Sequence, residues 1–260
     1  MKIVVGEIYK SLNYGDFEVT NYENSRKVTV KFLKTGYITV TKSVQIRTGA
    51  VMDRLLPSFF GVGYLGEQQV NKPCFHIWQG MIGRCYNEKR RNHYHTYQDC
   101  VVSEAFKNFT NFYEWCQNQI GFNEKDDKNR PFELDKDLLL KGNKIYSEDT
   151  CVFLPKEINS MLTHRKKSKG DYPIGVMLEK GKFRAMICTN GIGRRLGSFD
   201  SVTEAFNAYK TAKESYIKEI ANKWKSQIDP RAYKALYNYT VDIDDWRAIN
   251  TDTTNVVILY

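Results

Sequence analysis

Long apolar runs are missing from this 260-residue chain. No stretch approaches the ~20 consecutive apolar residues that a membrane span needs. The opening, Met1 and Lys2 followed by Ile3 to Val5 and Gly6, is too short for a secretory signal core. A soluble cytoplasmic protein with no membrane partner is therefore expected. The six cysteines include no Cys-x-x-Cys pair, so they read as reduced thiols and not as a disulfide scaffold, which disfavours secretion. A Gly-rich phosphate loop and a Ser-His-Asp arrangement are also missing, which leaves nucleotide hydrolysis and acyl transfer unsupported. Acidic residues are in the minority: 30 Asp and Glu face 39 Lys and Arg, for a net charge of +9.

The positive charge is localised. Residues 161–231 carry 15 basic and 7 acidic side chains, a net +8, whereas residues 67–160 are near neutral with 13 and 14. With 42% hydrophobic residues, this is no disordered polycation. A local basic excess is what a polyanion binder shows, because Lys and Arg that neutralise phosphates release condensed counterions. Double-stranded DNA is the partner it points to; a solvated lysine-rich surface would leave the same composition.

Patterning divides the chain into three parts and a tail. In residues 1–66, Phe17 and Val19, then Val28, Val30 and Phe32, then Tyr37 and Val40 alternate with period two, with Thr35 and Gly36 as a turn. With Val44 to Arg47 read as a further strand, this predicts a small β-barrel-like unit or meander, followed by a Gly-rich linker from Phe60 to Gly66. Its Lys27, Lys31, Lys34, Lys42 and Arg47 read as strand-edge charges or as a wider DNA footprint. In residues 67–164, Trp78, Met81, Ile82 and Cys85 form one helix face, and Phe106, Phe109, Tyr113 and Cys116 form another after Ser103. Strands around Phe132 to Asp137 and Thr150 to Leu154, then a helix opened by Pro155, complete a ββα outline. A basic hinge runs from His164 to Gly170. Residues 171–228 give three short strands split by Lys180-Gly181 and Asn190-Gly191 turns, then a capping box, Ser201 with Glu204, that starts a long helix. The tail, 229–260, reads as a short helix, an acidic turn and a terminal edge strand from Val256 to Tyr260. The fold class is α+β, ending in a three-stranded antiparallel sheet packed on one helix.

On the middle strand of that sheet Phe183, Ala185 and Ile187 point to the helix. Lys182 and Arg184 then face away, with Lys180 at the hairpin and Arg194 or Arg195 on the next strand, free to reach phosphates and guanine edges. Gly175, Val176, Lys182 to Ala185, Leu196 to Phe199, Ala205, Ala208 and Tyr209 resemble the plant APETALA-type DNA-binding domain, also found in phage homing endonucleases. The resemblance covers residues 171–224 and implies docking on duplex DNA. That family's tryptophan base contacts have no counterpart on these strands. The expected DNA contacts are Arg165, Lys166, Lys167, Lys169, Lys180, Lys182, Arg184, Arg194 and Arg195.

Residues 74–164 carry a second resemblance. Trp78, Met81, Arg84, Tyr86, Asn87, Tyr97, Leu134 to Asp137, Tyr146, Cys151 and Glu157 to Asn159 are similar to phage and prophage HNH-type endonucleases. Such an enzyme holds one divalent metal on its ββα unit, and a histidine activates the attacking water. Here Lys136 stands where that base belongs and Thr150 where an Asn would support the loop. A protonated lysine neither binds a metal nor acts as a base. The resemblance leaves Asp135, Lys136, Asp137, Asn159 and His164 as the catalytic candidates, with Asp135 and Asp137 as oxygen ligands for Mg²⁺. The spacings of Cys74, His76, Cys85, His93, His95 and Cys100 match no standard zinc finger, so zinc is not expected. The leading expectation is a phage HNH-like protein that docks on DNA and cleaves it with a metal. The alternatives are a catalytically silent DNA-binding regulator and a phage factor that binds a host protein.

Overall fold

A computed structural model describes residues 2–93, 97–162 and 172–243. In chain order its elements are β1 (Ile8–Ser11), β2 (Gly15–Asn24), β3 (Lys27–Phe32), β4 (Ile38–Thr41), α1 (Ser43–Arg47), α2 (Lys72–Tyr86), α3 (Glu88–His93), β5 (Val101–Val102), α4 (Glu104–Lys107), α5 (Phe109–Gln117), β6 (Glu133–Asp135), β7 (Ile145–Tyr146), β8 (Val152–Leu154), α6 (Lys156–Leu162), β9 (Val176–Glu179), β10 (Lys182–Thr189), β11 (Ile192–Phe199), α7 (Val202–Trp224) and α8 (Pro230–Tyr237). The chain is mixed α+β and divides into two compact units, residues 1–117 with 145–148, and residues 118–144 with 149–260. Among the described residues, no helix is long and apolar enough to cross a membrane.

In the first unit, alternation turns Phe17, Val19, Val28, Val30 and Phe32 to one side of a sheet ordered β1-β2-β3-β4, where they are fully buried. The Phe17 and Phe32 rings meet at 5.3 Å between centroids. The sheet is an open meander, which corrects the barrel-like expectation. The expected fifth strand, Val44 to Arg47, is instead the single-turn helix α1: Gln45 Oε1 accepts from Thr41 Oγ1 at 2.7 Å and from the Lys42 backbone at 3.1 Å, and Ile46 is buried against the sheet. Among the described residues no strand pairing joins β1 to β4. The Phe60 to Gly66 stretch is not a free linker either. Tyr64 donates its N–H to the Lys107 carbonyl at 3.0 Å, and its own carbonyl accepts from Phe109 at 2.9 Å. A Cβ on Gly63 would stand 3.0 Å from the Trp78 indole, so this glycine serves close packing.

The Trp78 stripe of α2 is buried as its spacing predicts, and Trp78 Nε1 donates to the Phe106 carbonyl at 2.7 Å. The helix expected after Ser103 is broken at Asn108 into α4 and α5, because the flanking Lys107 and Phe109 backbone groups bond to Tyr64. The pair β5 and β7 is parallel.

The second unit contains the ββα outline and the sheet-on-helix module together. Strands β6 and β8 pair antiparallel, Glu133 with Leu154 and Asp135 with Val152, and α6 follows. The three-stranded sheet has the order β11-β10-β9. Both predicted two-residue turns carry two positive φ angles, Lys180 at 50° with Gly181 at 77° and Asn190 at 54° with Gly191 at 80°. That twist matches the strands they join. The capping box forms as read, with Glu204 N–H to Ser201 Oγ at 3.2 Å and Ser201 N–H to Glu204 Oε2 at 3.3 Å.

Helix α7 has two clients. Near its start Ala205, Phe206 and Tyr209 are buried on the sheet side. Farther along, Lys213 Nζ donates to the Met161 carbonyl at 2.8 Å, Trp224 Nε1 to Glu157 Oε2 at 2.7 Å, and Trp224 meets the Phe132 ring edge-on at 5.7 Å. One helix therefore ties the ββα part to the three-stranded sheet. Asp242 of the expected acidic turn pairs with Lys141 at 2.9 Å, while the expected strand Val256 to Tyr260 lies outside the described residues.

Candidate nucleic-acid interface and the central carboxylates

The register of the three strands decides what the cations can do. Ala185 and Ile187 are buried against α7, which puts Lys182, Arg184 and Met186 on the opposite face. Arg184 pairs across the ladder with Ser198, and Met186 with Arg195, so Arg184 and Arg195 share that face. A register shift after Ala185 sets Arg194 opposite Ile187, on the helix side of the edge strand. Only one of the two adjacent arginines thus joins the outer face.

Two of the expected contacts are held by the protein's own acids, which corrects the reading of these side chains as free. Arg184 Nη1 donates to both Glu179 carboxylate oxygens, at 2.8 and 2.7 Å, and Lys182 pairs with Asp200. The pairs differ in strength. Lys182 and Asp200 are largely exposed, so water screens them and the pair is easily exchanged. The Arg184 side chain is only 23% exposed and is the better held. Arg195 bonds to the neutral Ser198 hydroxyl. Lys180 and Arg194 are exposed and have no side-chain partner among the described residues. The sequence already contained the pairing signal: a two-residue turn at Lys180 and Gly181 must set Glu179 opposite Lys182 and one step from Arg184. The expected contacts Arg165, Lys166, Lys167 and Lys169 lie outside the described residues, as does His164.

The central candidates are consecutive at the end of β6. Asp135 Oδ1 accepts from the backbone N–H of Asp137 at 2.9 Å and of Leu138 at 2.8 Å, turning the chain as it leaves the strand. Burial pushes its carboxyl up from the ordinary aspartate value, the Asp137 charge adds to this, and the two backbone bonds oppose it. Lys136 is 5% exposed; its Nζ donates to the Asn143 carbonyl at 2.8 Å and to Asp137 Oδ1. Asn159 Nδ2 donates to Glu133 Oε2 at 3.1 Å, linking α6 to the strand that carries Asp135.

This donor set does not suit Mg²⁺ as arranged. The Asp137 carboxylate already faces the Lys136 ammonium, a cation would meet that charge, and one Asp135 oxygen is committed to the turn. Among the described residues no group of three or more His, Cys, Asp or Glu is placed to hold a metal ion.

Of the residues shared with the HNH-type resemblance, the structure brings three together in the first unit. The Arg84 guanidinium lies over the Tyr97 and Tyr146 rings, 6.0 and 5.5 Å from their centroids, and its Nε donates to Tyr146 Oη at 3.2 Å. Burial pushes the Tyr146 phenol well above its usual value, so it stays protonated. These residues hold α2 to β7 and to the segment before β5; they form a packed cation–aromatic contact and not an open site.

Comparison with family models, with curated proteins and with solved structures found no match for this chain.

Proposed function

We propose that the chain binds duplex DNA through the outer face of β9, β10 and β11, without cleaving it, and acts in the cytoplasm. The observation that carries this reading is the pair of exposed cations at that face, Lys180 at its hairpin and Arg195 on β11, that no carboxylate neutralises among the described residues, on the segment holding most of the chain's charge excess. The resemblances to APETALA-type domains and to phage HNH-type endonucleases support it from the sequence side. Lys182 joins when phosphate displaces Asp200. Cleavage with Mg²⁺ at Asp135 and Asp137 is the alternative that the Lys136 ammonium argues against.

The test is duplex affinity against sodium chloride, with a plasmid-nicking assay in Mg²⁺ or Mn²⁺ beside it. Each phosphate neutralised contributes about −0.9 to the slope of log K against log salt. Two or three contacts from this face, Lys180 and Arg195 with Lys182 joining them, predict a slope of about −2 to −3. Supercoiled plasmid should be retarded in a gel and stay intact. A salt-independent affinity defeats the DNA reading, and nicking that chelation abolishes restores the enzyme.

A second reading, docking on a protein, is favoured by one observation. Met177 and Leu196 are 44% and 36% exposed on the same small sheet, where Arg184 and Lys182 are already internally paired. Absence of any salt-dependent DNA affinity favours it.

A further inference from the structure

We propose that the cleft of the second unit lined by α6, β10 and α7 binds a phosphate monoester, with Lys213 as its charged anchor. The cleft has a volume of about 900 Å³, at the upper end of ordinary small-molecule sites. Lys213 lines it and is only 8% exposed. Its Nζ has three protons to donate and gives one to the Met161 carbonyl at 2.8 Å. No carboxylate pairs with it among the described residues.

Among the described residues the charges around the cleft leave Lys213 uncompensated. Three carboxylates of the described residues line the space and each is already committed. Asp126 is held by Arg130 at 2.6 Å, and Asp127 and Glu157 each hold Lys223 at 2.8 Å. Glu157 also accepts from Trp224. Lys128, at the same cleft, has no acid partner for its side chain among the described residues. A buried ammonium without a counter-charge is costly, and the carbonyl at the end of α6 offsets only part of that. Burial accordingly pulls the Lys213 amine below the usual lysine value, with the Cys188 thiol acting the other way. A dianion bridging Lys213 and Lys128 would supply the missing charge, and Tyr209 and Tyr216 give it aromatic walls. The phosphate belongs either to a free mononucleotide or to the end of a nucleic-acid strand. The cleft is separate from the outer sheet face, so this inference does not depend on duplex binding.

The experiment is thermal unfolding of the full chain in inorganic phosphate against sodium chloride of equal ionic strength, with the wild type, Lys213→Met and Lys128→Ala. In the wild type Tm should rise with phosphate concentration. The rise should vanish in Lys213→Met, and in Lys128→Ala, a surface change that leaves the fold intact, the apparent dissociation constant should grow roughly tenfold. Adenosine monophosphate and matched 5′-phosphorylated and 5′-hydroxyl oligonucleotides then assign the source: a larger shift with the nucleotide supports a free ligand, and a shift only with the phosphorylated strand supports a strand end. If the wild type shows no shift beyond the chloride control with any of them, or if both variants respond as the wild type does, the proposal is wrong.

Discussion

Lys136 and Asn143 exchange two hydrogen bonds: Lys136 Nζ donates to the Asn143 carbonyl at 2.8 Å, and Asn143 Nδ2 donates to the Lys136 carbonyl at 2.7 Å. Both residues are buried, so the excursion after β6 is closed on itself by polar groups that water does not reach. The lysine that the HNH-type resemblance would set at the base position is occupied in holding this loop. Lys136→Met keeps much of the side-chain volume but leaves the Asn143 carbonyl without that donor. A loss of about 2 kcal/mol of stability is expected in urea unfolding, with duplex affinity unchanged. Unaltered stability would show that the exchange does not hold the loop.

Glu179 restrains Arg184. Glu179→Gln removes the negative charge while keeping the size, so Arg184 becomes available to a phosphate. Duplex affinity should rise several-fold at low salt, and the salt slope should steepen by about 0.9. Weaker or equal binding would mean that Arg184 never reaches DNA.

Gly175 adopts φ 79°, and a Cβ placed there would lie 2.1 Å from the Tyr209 ring. Gly175→Ala must displace a ring that is 5% exposed in the contact between sheet and helix. We expect a loss of about 2–4 kcal/mol and a lower unfolding midpoint, following from the clash and the left-handed backbone together. A variant as stable as the wild type would contradict this packing.

Asp126 governs part of the acid response. The hydrogen bonds and charge of Arg130, with the Lys128 and Arg130 backbone N–H groups, hold its carboxyl at about 2, below the ordinary 3.8. A depressed carboxylate stabilises the folded state fully above the unfolded value and loses that contribution as pH falls through 3.8 toward 2. Asp126→Asn should therefore lower Tm at neutral pH and make the decline between pH 4 and 2 shallower than in the wild type, as circular dichroism melts would show. Parallel pH profiles would remove Asp126 from the account.

The sequence by itself determined the main strands, the helix faces and the turns, because these follow from nearest-neighbour chemistry, though not the helix at Val44 to Arg47. Period-two alternation at Phe17 to Phe32, the stripe from Trp78 to Cys85, the Ser201 capping box and the two left-handed turns all appear as read. It also carried the Glu179 and Lys182 pairing, since a two-residue turn leaves no other register. Only the tertiary structure decided what each functional candidate is bonded to. Nothing local to Lys136 reveals that Asn143 returns to meet it, nothing in the spacing of Arg194 and Arg195 announces the bulge that decides which of the two faces outward, and Met161 is far in sequence from Lys213. The physical reason is that a charged side chain is defined by the partner that replaces its water, and folding selects that partner from distant parts of the chain.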